Sequence, residues 1–211
     1  MNLARLLQLA SPALPVGAYS YSGGLEAAIE AGIVRDAASA ERWIGDVLEF
    51  SVARMDAPIL LRMIEDPESM QRWNAMFLAS RETAESRGET VQMGFSLKKL
   101  LHDVGAGELA LDEPAYPAAF AFAVSKWGID PRAALQAYLW SWLENQVMAA
   151  VKAVPLGQTE GQKMLMKLGD RIESMVTQIE TLPDQDLGNF APGLAMLSSR
   201  HETQYSRLFR S

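Results

Sequence analysis

Residues 130–153 read DPRAALQAYLWSWLENQVMAAVKA, and this stretch decides the class of the fold. Asp130 and Pro131 predict a helix start, because aspartate accepts the free backbone amides of a first turn and proline is tolerated there. Apolar residues then occupy almost every side of the helix, until Pro155 ends it. A helix without a polar face is central in a bundle, or half core and half subunit interface. We therefore predict a central helix and a homodimer.

The composition of the whole chain also favours helix. The 211 residues include 30 Ala and 26 Leu, against 25 Val, Ile and Thr together. Alanine and leucine favour helices, whereas β-branched residues favour strands. We predict an all-α, single-domain helical bundle of roughly eight to ten helices with an extended C-terminal tail. The bundle is assigned to residues 1–198 and the tail to residues 199–211.

Proline, glycine and apolar periodicity divide the remainder into further helices. Gly32 is predicted to cap the second helix, Pro58 to break the third, and Thr159 with Gln162 to form a capping box. The fourth stretch either continues or restarts along its length. The predicted helical stretches are residues 3–9, 23–31, 37–65, 67–101, 117–127, 130–153, 159–182 and 192–197.

Composition and charge exclude several classes of function. The chain has no cysteine and two histidines, His102 and His201, so it lacks the residues for zinc, iron–sulfur or thiol chemistry. Its net charge of −7 argues against nonspecific nucleic-acid binding, which depends on Lys and Arg. The longest uncharged run, residues 6–25, contains prolines and glycines that a membrane helix disfavours. We predict a cytoplasmic protein that binds neither membrane nor nucleic acid.

No catalytic motif is complete. Ser20 and Ser22 stand outside any G-x-S-x-G sequence, and neither histidine has the E-x-x-H spacing of a di-iron bundle. Residues 157–163, GQTEGQK, resemble a phosphate loop, but three residues instead of four separate the glycines and Met164 follows Lys163. A tight turn explains both glycines, whereas Gln158, Gln162 and Lys163 stay unexplained as a polar cluster.

Two other polar features allow two interpretations each. Residues 81–89, RETAESRGE, are typical of a solvated helix face. The alternative is that a carboxylate such as Glu26 or Glu82 serves as the general base of an all-α enzyme. Asn145 and Gln146 interrupt the apolar helix, and we expect them either to form hydrogen bonds in the core or to contact a partner.

The tail, residues 199–211, reads SRHETQYSRLFRS. It is locally basic, with three arginines against Glu202 alone, and it also carries Tyr205, Leu208 and Phe209. Arginine together with aromatic residues is typical of binding anchors. The alternative is a tail that folds back onto its own bundle.

Four blocks resemble the urease accessory protein family UreF. They are LLQLASPALPVGAYSYSGGLE at residues 6–26, ASRETAESRGETVQMG at 79–94, AVPLGQTEGQKML at 153–165, and the ending RHETQYSRLFRS. The ending is the most specific of the four. Together the blocks extend over essentially the whole chain.

The resemblance implies a non-catalytic all-α homodimer. Such a protein bridges UreD (also called UreH) and the GTPase UreG in the complex that inserts nickel into urease apoprotein. It would modulate GTP hydrolysis and nickel delivery without binding a cofactor itself, since nickel and GTP belong to the partners. The alternative is a chaperone that carries nickel directly.

Partner-binding residues follow by position in the same blocks. The tail would contact the UreD-type protein, and the residues of the turn and of the first two blocks would support a partner surface or an internal nickel path. The expected partner-binding residues are His201, Glu202, Thr203, Gln204, Tyr205, Ser206, Arg207, Leu208, Phe209, Arg210, Gly157, Gln158, Gln162, Lys163, Glu26, Glu82 and Arg87.

Overall fold

A computed structural model of the chain describes residues 2–211, and all regular structure in that range is helical. This confirms the all-α, single-domain prediction. The α-helices are α1 Leu3–Ala10, α2 Leu25–Glu30, α3 Ala37–Val47, α4 Ala57–Glu65, α5 Met70–Ala79, α6 Ala84–Asp103, α7 Tyr116–Trp127, α8 Pro131–Ala153, α9 Gln158–Gly169, α10 Ile172–Thr181 and α11 Pro192–His201.

Helix α8 is the centre of the bundle, as its sequence predicts. It packs against α1, α2, α3, α4, α9 and α10. The carboxylate of Asp130 accepts the backbone amide of Ala133 at 2.9 Å, so the predicted cap is present. On its α7 side, the ring centroid of Tyr138 lies 5.3 Å from that of Phe120 in an edge-to-face pair.

The predicted break near Pro58 is wrong. A π-helical segment, Leu48–Asp56, joins α3 to α4 without interruption, so residues 2–211 contain ten separate helices besides the 3₁₀ turns. Pro58 has no backbone N–H to donate to the carbonyl of Arg54, four residues earlier in the helix. That carbonyl instead accepts the amide of Gly188 at 3.2 Å. The carbonyl of Phe50 accepts the amide of Phe190 at 2.9 Å. Backbone amides of a loop distant in the sequence thus satisfy carbonyl groups of the π-helical segment.

The stretch from residue 67 restarts partway along, which settles the alternative left open above. Pro67–Ser69 form a 3₁₀ turn before α5, and Thr83 and Ser86 form a capping box at the start of α6. Further along α6, Gly94 lies against the backbone of the loop that leads into α7. A Cβ added at Gly94 would stand 2.0 Å from the Pro114 carbonyl oxygen. Helices α6 and α7 therefore pack backbone to backbone at this point.

Two predictions about residues 157–182 are wrong in detail. Helix α9 begins at Gln158 with Gly157 as its N-cap, so Thr159 lies inside the first turn and forms no capping box. The single stripe predicted over 159–182 is divided into α9 and α10. The division follows Gly169, whose missing Cβ leaves room for Trp140 of α8.

The chain ends with an irregular segment that packs against the bundle. Helix α11 extends to His201, and residues 202–211 then turn back toward α2 and α6. Gly32 has a φ of +69° after α2, as predicted for its cap. In residues 2–211 no helix combines the length and the apolar character needed to cross a membrane.

Candidate functional site

Four polar residues form an acidic cradle beneath the C-terminal segment. Ser22 lies just before α2, Glu26 lies in the first turn of α2, and Glu85 and Glu89 lie in the first turns of α6. The three glutamates each contact a hydrogen-bonding group of residues 201–211 through a carboxylate oxygen, whereas the hydroxyl of Ser22 donates to the carbonyl oxygen of Ser211. The cradle thus joins the two ends of the chain to its middle.

Glu26 is the principal anchor. Its carboxylate accepts the backbone amides of Leu208 at 2.6 Å and Phe209 at 2.9 Å. The same oxygen that accepts Phe209 lies 3.2 Å from Nε2 of His201. Glu26 is 7% exposed, and charge-assisted hydrogen bonds of this kind are about twice as strong as neutral ones.

Glu85 receives the cationic side chains of the segment. One of its oxygens lies 2.6 Å from Nδ1 of His201, and the other accepts the guanidinium of Arg207. Its backbone amide donates to the carboxylate of Glu202 at 3.2 Å, where an acidic group is favourable at the start of a helix. His201 itself is fully buried between the two glutamates.

The end of the segment enters the bundle beside Glu89. The hydroxyl of Ser211 donates to Glu89 at 2.6 Å, and the carbonyl oxygen of Ser211 accepts both the backbone amide and the hydroxyl of Ser22. Phe209 is 5% exposed, and the ammonium of Lys152 lies 4.7 Å from its ring centroid. The segment is therefore fixed by an apolar anchor as well as by polar contacts.

Local sequence explains how the cradle is positioned. Gly24 has a φ of +81° and is the N-cap of α2, which begins at Leu25, and the Ser22 hydroxyl accepts the Glu26 amide at 3.2 Å. In α6, Glu85 and Glu89 are four residues apart, so they lie on one face of the helix.

The opposite face of the same segment is open to solvent. Tyr205 is fully exposed, Leu208 is 61% exposed, and Arg210 is also exposed. Residues 202–211 thus present a tyrosine, a leucine and an arginine outward while His201 and Phe209 hold the segment in place.

A cavity of about 340 Å³ lies beside the cradle. Its wall includes Glu89 and the buried ion pair of Asp56 and Arg81, whose charged atoms are 3.0 Å apart. Tyr138 and Gln146, both at least nine-tenths buried, also line it. The rest of the wall is mainly apolar, so the cavity is a partly open apolar pocket that carries a few polar and charged groups.

Burial changes the proton affinity of the acidic groups on this wall. It raises the pKa of Glu89 to about 7, although the hydrogen bond from Ser211 acts in the opposite direction. Burial likewise raises the pKa of Asp56, and the nearby Arg81 partly offsets that rise. Glu89 accordingly carries a proton for part of the time at neutral pH.

Comparisons with known proteins identify the family. A family model named UreF matches residues 34–169. The urease accessory protein UreF of Azoarcus sp. (strain BH72) is 56% identical over 225 residues, which cover 100% of this chain and 96% of the relative. That of Dechloromonas aromatica (strain RCB) is 51% identical over 224 residues, covering 100% and 98%.

The chain belongs to the UreF family. The family resemblance inferred from the four sequence blocks is thereby confirmed. As a UreF-family urease accessory protein, the chain has a role in urease maturation.

The UreF-family chain brings together part of the predicted partner-binding set. Within the cradle, His201 and Phe209 contact Glu26, and Arg207 donates to Glu85. Thr203, Gln204 and Ser206 form hydrogen bonds inside residues 200–207. Glu82 instead faces Asn189 at 3.2 Å, and Arg87 pairs with Glu113 at the surface.

The turn at residues 157–163 is separate from the cradle. Gly157, Gln158, Gln162 and Lys163 are all exposed, and Lys163 pairs with Glu160 at 2.7 Å. Among residues 2–211 no hydrogen bond joins this turn to residues 202–211. Gly161 is needed for packing, because a Cβ there would lie 2.7 Å from the side chain of Val151.

Sequence reasoning missed Glu85, Glu89, Asp56 and Arg81 as members of a site. The interpretation of residues 81–89 as a solvated helix face is wrong for these residues, since Arg81 and Glu85 keep only 13% and 18% of their side chains exposed. The four-residue spacing of Glu85 and Glu89 was the available signal.

Of the two amide residues in α8, Asn145 and Gln146, the side chain of Asn145 donates to the Tyr21 carbonyl at 3.3 Å. Within residues 2–211 there is no cluster of three His, Asp or Glu side chains arranged to hold a metal ion.

Proposed function

We propose that this chain is a non-catalytic bridging protein, which links a UreD/UreH-type protein to the GTPase UreG in the complex that inserts nickel into urease apoprotein. Residues 202–211 are the contact for the UreD-type partner. The observation that carries this proposal is the two-faced segment: Tyr205 and Leu208 are turned to solvent while His201 and Phe209 fix the segment from below.

Exposed tyrosine and arginine next to an exposed leucine suit a protein interface. Tyrosine and arginine are enriched among residues that dominate binding energy, because they combine apolar area with hydrogen-bonding groups. A segment that served only to close the bundle would have no need of a fully exposed Tyr205. The segment is held in place before binding, so less entropy is lost on docking.

The chain acts as a homodimer in this proposal, and the dimer offers a surface to UreG. Support comes from apolar residues that stay exposed on α8 and α9: Trp140 at 37%, Met148 at 46% and Met166 at 72%. Light scattering at tens of micromolar should give the mass of a dimer. A monomer alone at that concentration would count against this part of the proposal.

Nickel would be cargo for the complex, and this chain would hold neither nickel nor nucleotide as its own cofactor. The cavity beside the cradle offers oxygen atoms from Asp56, Glu89 and Tyr138 to a passing hydrated cation. Nickel is held tightly by imidazole or thiolate ligands, and the chain has two histidines and no cysteine. Calorimetry should therefore detect no tight nickel binding; stoichiometric binding that requires His102 or His201 would favour the nickel-carrying chaperone instead.

The bridging role is tested by copurification with the UreD-type protein, UreG and GTP. We expect the double variant Tyr205→Ser/Leu208→Ser to lose the UreD-type protein while its helical circular dichroism is unchanged. Val104→Ser is a matched control, since Val104 is 48% exposed and follows α6 at its opposite end, about 28 Å from Glu85. If the double variant still assembles like the control, the contact has been assigned to the wrong residues.

A further inference from the structure

The contacts of His201 require an extra proton in the docked segment. Its two ring nitrogens both face carboxylates, Nδ1 toward Glu85 at 2.6 Å and Nε2 toward Glu26 at 3.2 Å. A neutral imidazole donates at one nitrogen only, whereas the imidazolium donates at both. Glu26 already accepts two backbone amides and Glu85 an arginine, so both carboxyl groups act as hydrogen-bond acceptors here. The proton therefore belongs on His201.

Glu89 supplies a second site of proton uptake. Its carboxyl group accepts the hydroxyl of Ser211, the last residue of the segment, and it also lines the cavity. When residues 202–211 leave the cradle, Ser211 no longer covers Glu89. Water then reaches the carboxyl group and stabilises its charged form.

The charges around these groups come from every element of the site. Helix α2 contributes Glu26, α6 contributes Glu85, and the π-helical segment contributes Asp56, which faces Glu89 together with Arg81. The segment itself supplies Arg207 and Glu202, and α8 supplies Lys152 over the ring of Phe209 and Glu144 on the cavity wall. Carboxylates are the majority of these groups. Without its protons the docked arrangement would hold several anions close together.

We propose that residues 202–211 form a proton-dependent clasp, which holds the segment on the cradle in mildly acidic solution and releases it as the pH rises through neutrality. The segment that we assign to the UreD-type partner would then be most mobile above neutral pH. This consequence for partner binding rests on the proposed function, whereas the release itself does not.

The direction follows from proton linkage. Glu89 has a pKa of about 7 when docked, against an ordinary value of 4.5, so docking takes up a proton. The contribution of Glu89 to docking is complete below a pH equal to its ordinary pKa of 4.5. Above that pH the equilibrium constant for docking falls by up to tenfold per pH unit, and above about pH 7 the contribution is lost. A docked His201 without its second ring proton would leave one ring nitrogen facing a carboxylate without a hydrogen. Loss of either proton therefore weakens the clasp.

Amide hydrogen exchange of the full chain tests the clasp without any partner. The amides of Leu208 and Phe209 donate to Glu26, so their protection factors, corrected for the intrinsic rate at each pH, report docking. From pH 5.5 to 7.5 we expect these factors to fall about tenfold or more. In Glu89→Gln, which keeps the shape and cannot ionise, the fall should be reduced by at least threefold.

Glu108→Gln is the matched control, because Glu108 is exposed, and it should behave as the unmodified chain does. A fall of less than threefold in the unmodified chain overturns the proposal, as does a Glu89→Gln variant with an undiminished fall. If that variant does not fold, the ¹⁵N shifts of the His201 ring decide: two protonated nitrogens at pH 6 support the clasp, and a single neutral tautomer overturns it.

The UreD-type partner then separates the two proposals. Tighter partner binding at pH 6, where the segment is held in place, than at pH 8, with the difference reduced in Glu89→Gln, supports both. Absence of partner binding at every pH, together with pH-dependent protection, contradicts the proposed function and leaves the clasp intact. Partner binding together with pH-independent protection contradicts the clasp and leaves the proposed function intact.

Discussion

The carboxylate of Glu26 accepts the backbone amide of Phe209 at 2.9 Å, a contact between residues 183 positions apart in the chain. Glu26 starts α2 near the N-terminal end, and Phe209 is buried beneath Lys152 of α8. One carboxylate therefore fixes the segment whose other face is exposed. The stability of the segment and its availability to a partner depend on the same few contacts.

Removal of the Glu26 carboxylate should release the segment. Glu26→Ala leaves the amides of Leu208 and Phe209 and the ring of His201 without their acceptor, and an unmatched buried donor costs about 1–3 kcal/mol. We expect the free energy of unfolding in urea to fall by about 2–4 kcal/mol. Glu30→Ala, on the exposed side of α2, is the control and should change it by less than about 0.5 kcal/mol. Equal effects of the two substitutions would contradict the anchor role.

The ion pair of Asp56 and Arg81 predicts strong coupling between two substitutions. Both side chains are 13% exposed, so Arg81→Leu leaves a buried carboxylate unpaired and should lower the free energy of unfolding by about 3–5 kcal/mol. Adding Asp56→Leu removes that charge and should recover most of the loss. Urea unfolding of the two single variants and the double variant forms a thermodynamic cycle. Additive losses would show that the pair is not coupled.

Two glycines in α6 should respond to alanine in opposite directions. At Gly94 a Cβ would stand 2.0 Å from the carbonyl oxygen of Pro114, so Gly94→Ala forces α6 and α7 apart and should cost about 3 kcal/mol or more. At Gly88 nothing lies within 4 Å of the added atom, so Gly88→Ala should stabilise the helix by about 0.5–1 kcal/mol. Thermal unfolding midpoints compare them, and a tolerated Gly94→Ala would refute the close backbone packing.

Glu89 makes the stability of the whole chain depend on pH. Its pKa is raised from 4.5 to about 7 in the folded chain, so unfolding releases a proton and the free energy of unfolding falls as the pH rises between these values. Between pH 5 and pH 7.5 we expect a decrease of roughly 2–3 kcal/mol in urea unfolding. Glu89→Gln should remove most of this slope. A slope of the same size in the variant would assign the effect to other groups.

Much of the fold could be predicted from local sequence. The Asp130 cap, the apolar α8 and the Gly32 turn depend on residues that are neighbours in the chain, and all three predictions are confirmed. The break at Pro58 was predicted wrongly because the hydrogen bonds that let the helix continue past Pro58 come from residues distant in the sequence. Donors from Gly188 and Phe190 satisfy the π-helical segment, and sequence periodicity carries no signal of such distant contacts.

The candidate site could be predicted only in part, for the same reason. The composition of residues 199–211 favours a binding element, with a tail that folds back onto its own bundle as the alternative. Folding back depends on Glu85 and Glu89, which in the sequence look like members of an ordinary charged helix face. They become partly buried because α6 passes beneath a segment more than 100 residues away, as the contact of Glu85 with Arg207 shows.

The most direct test of the account is the affinity of the UreD-type protein for the full chain and for Tyr205→Ser/Leu208→Ser, measured by calorimetry beside Val104→Ser. These two side chains are exposed, and within residues 2–211 neither forms a side-chain hydrogen bond with the cradle, so their loss should leave the fold unchanged. We predict binding at least tenfold weaker in the double variant, about 1.4 kcal/mol or more, and unchanged binding in the control. Equal affinities for all three chains would contradict the assignment of residues 202–211 as the partner contact.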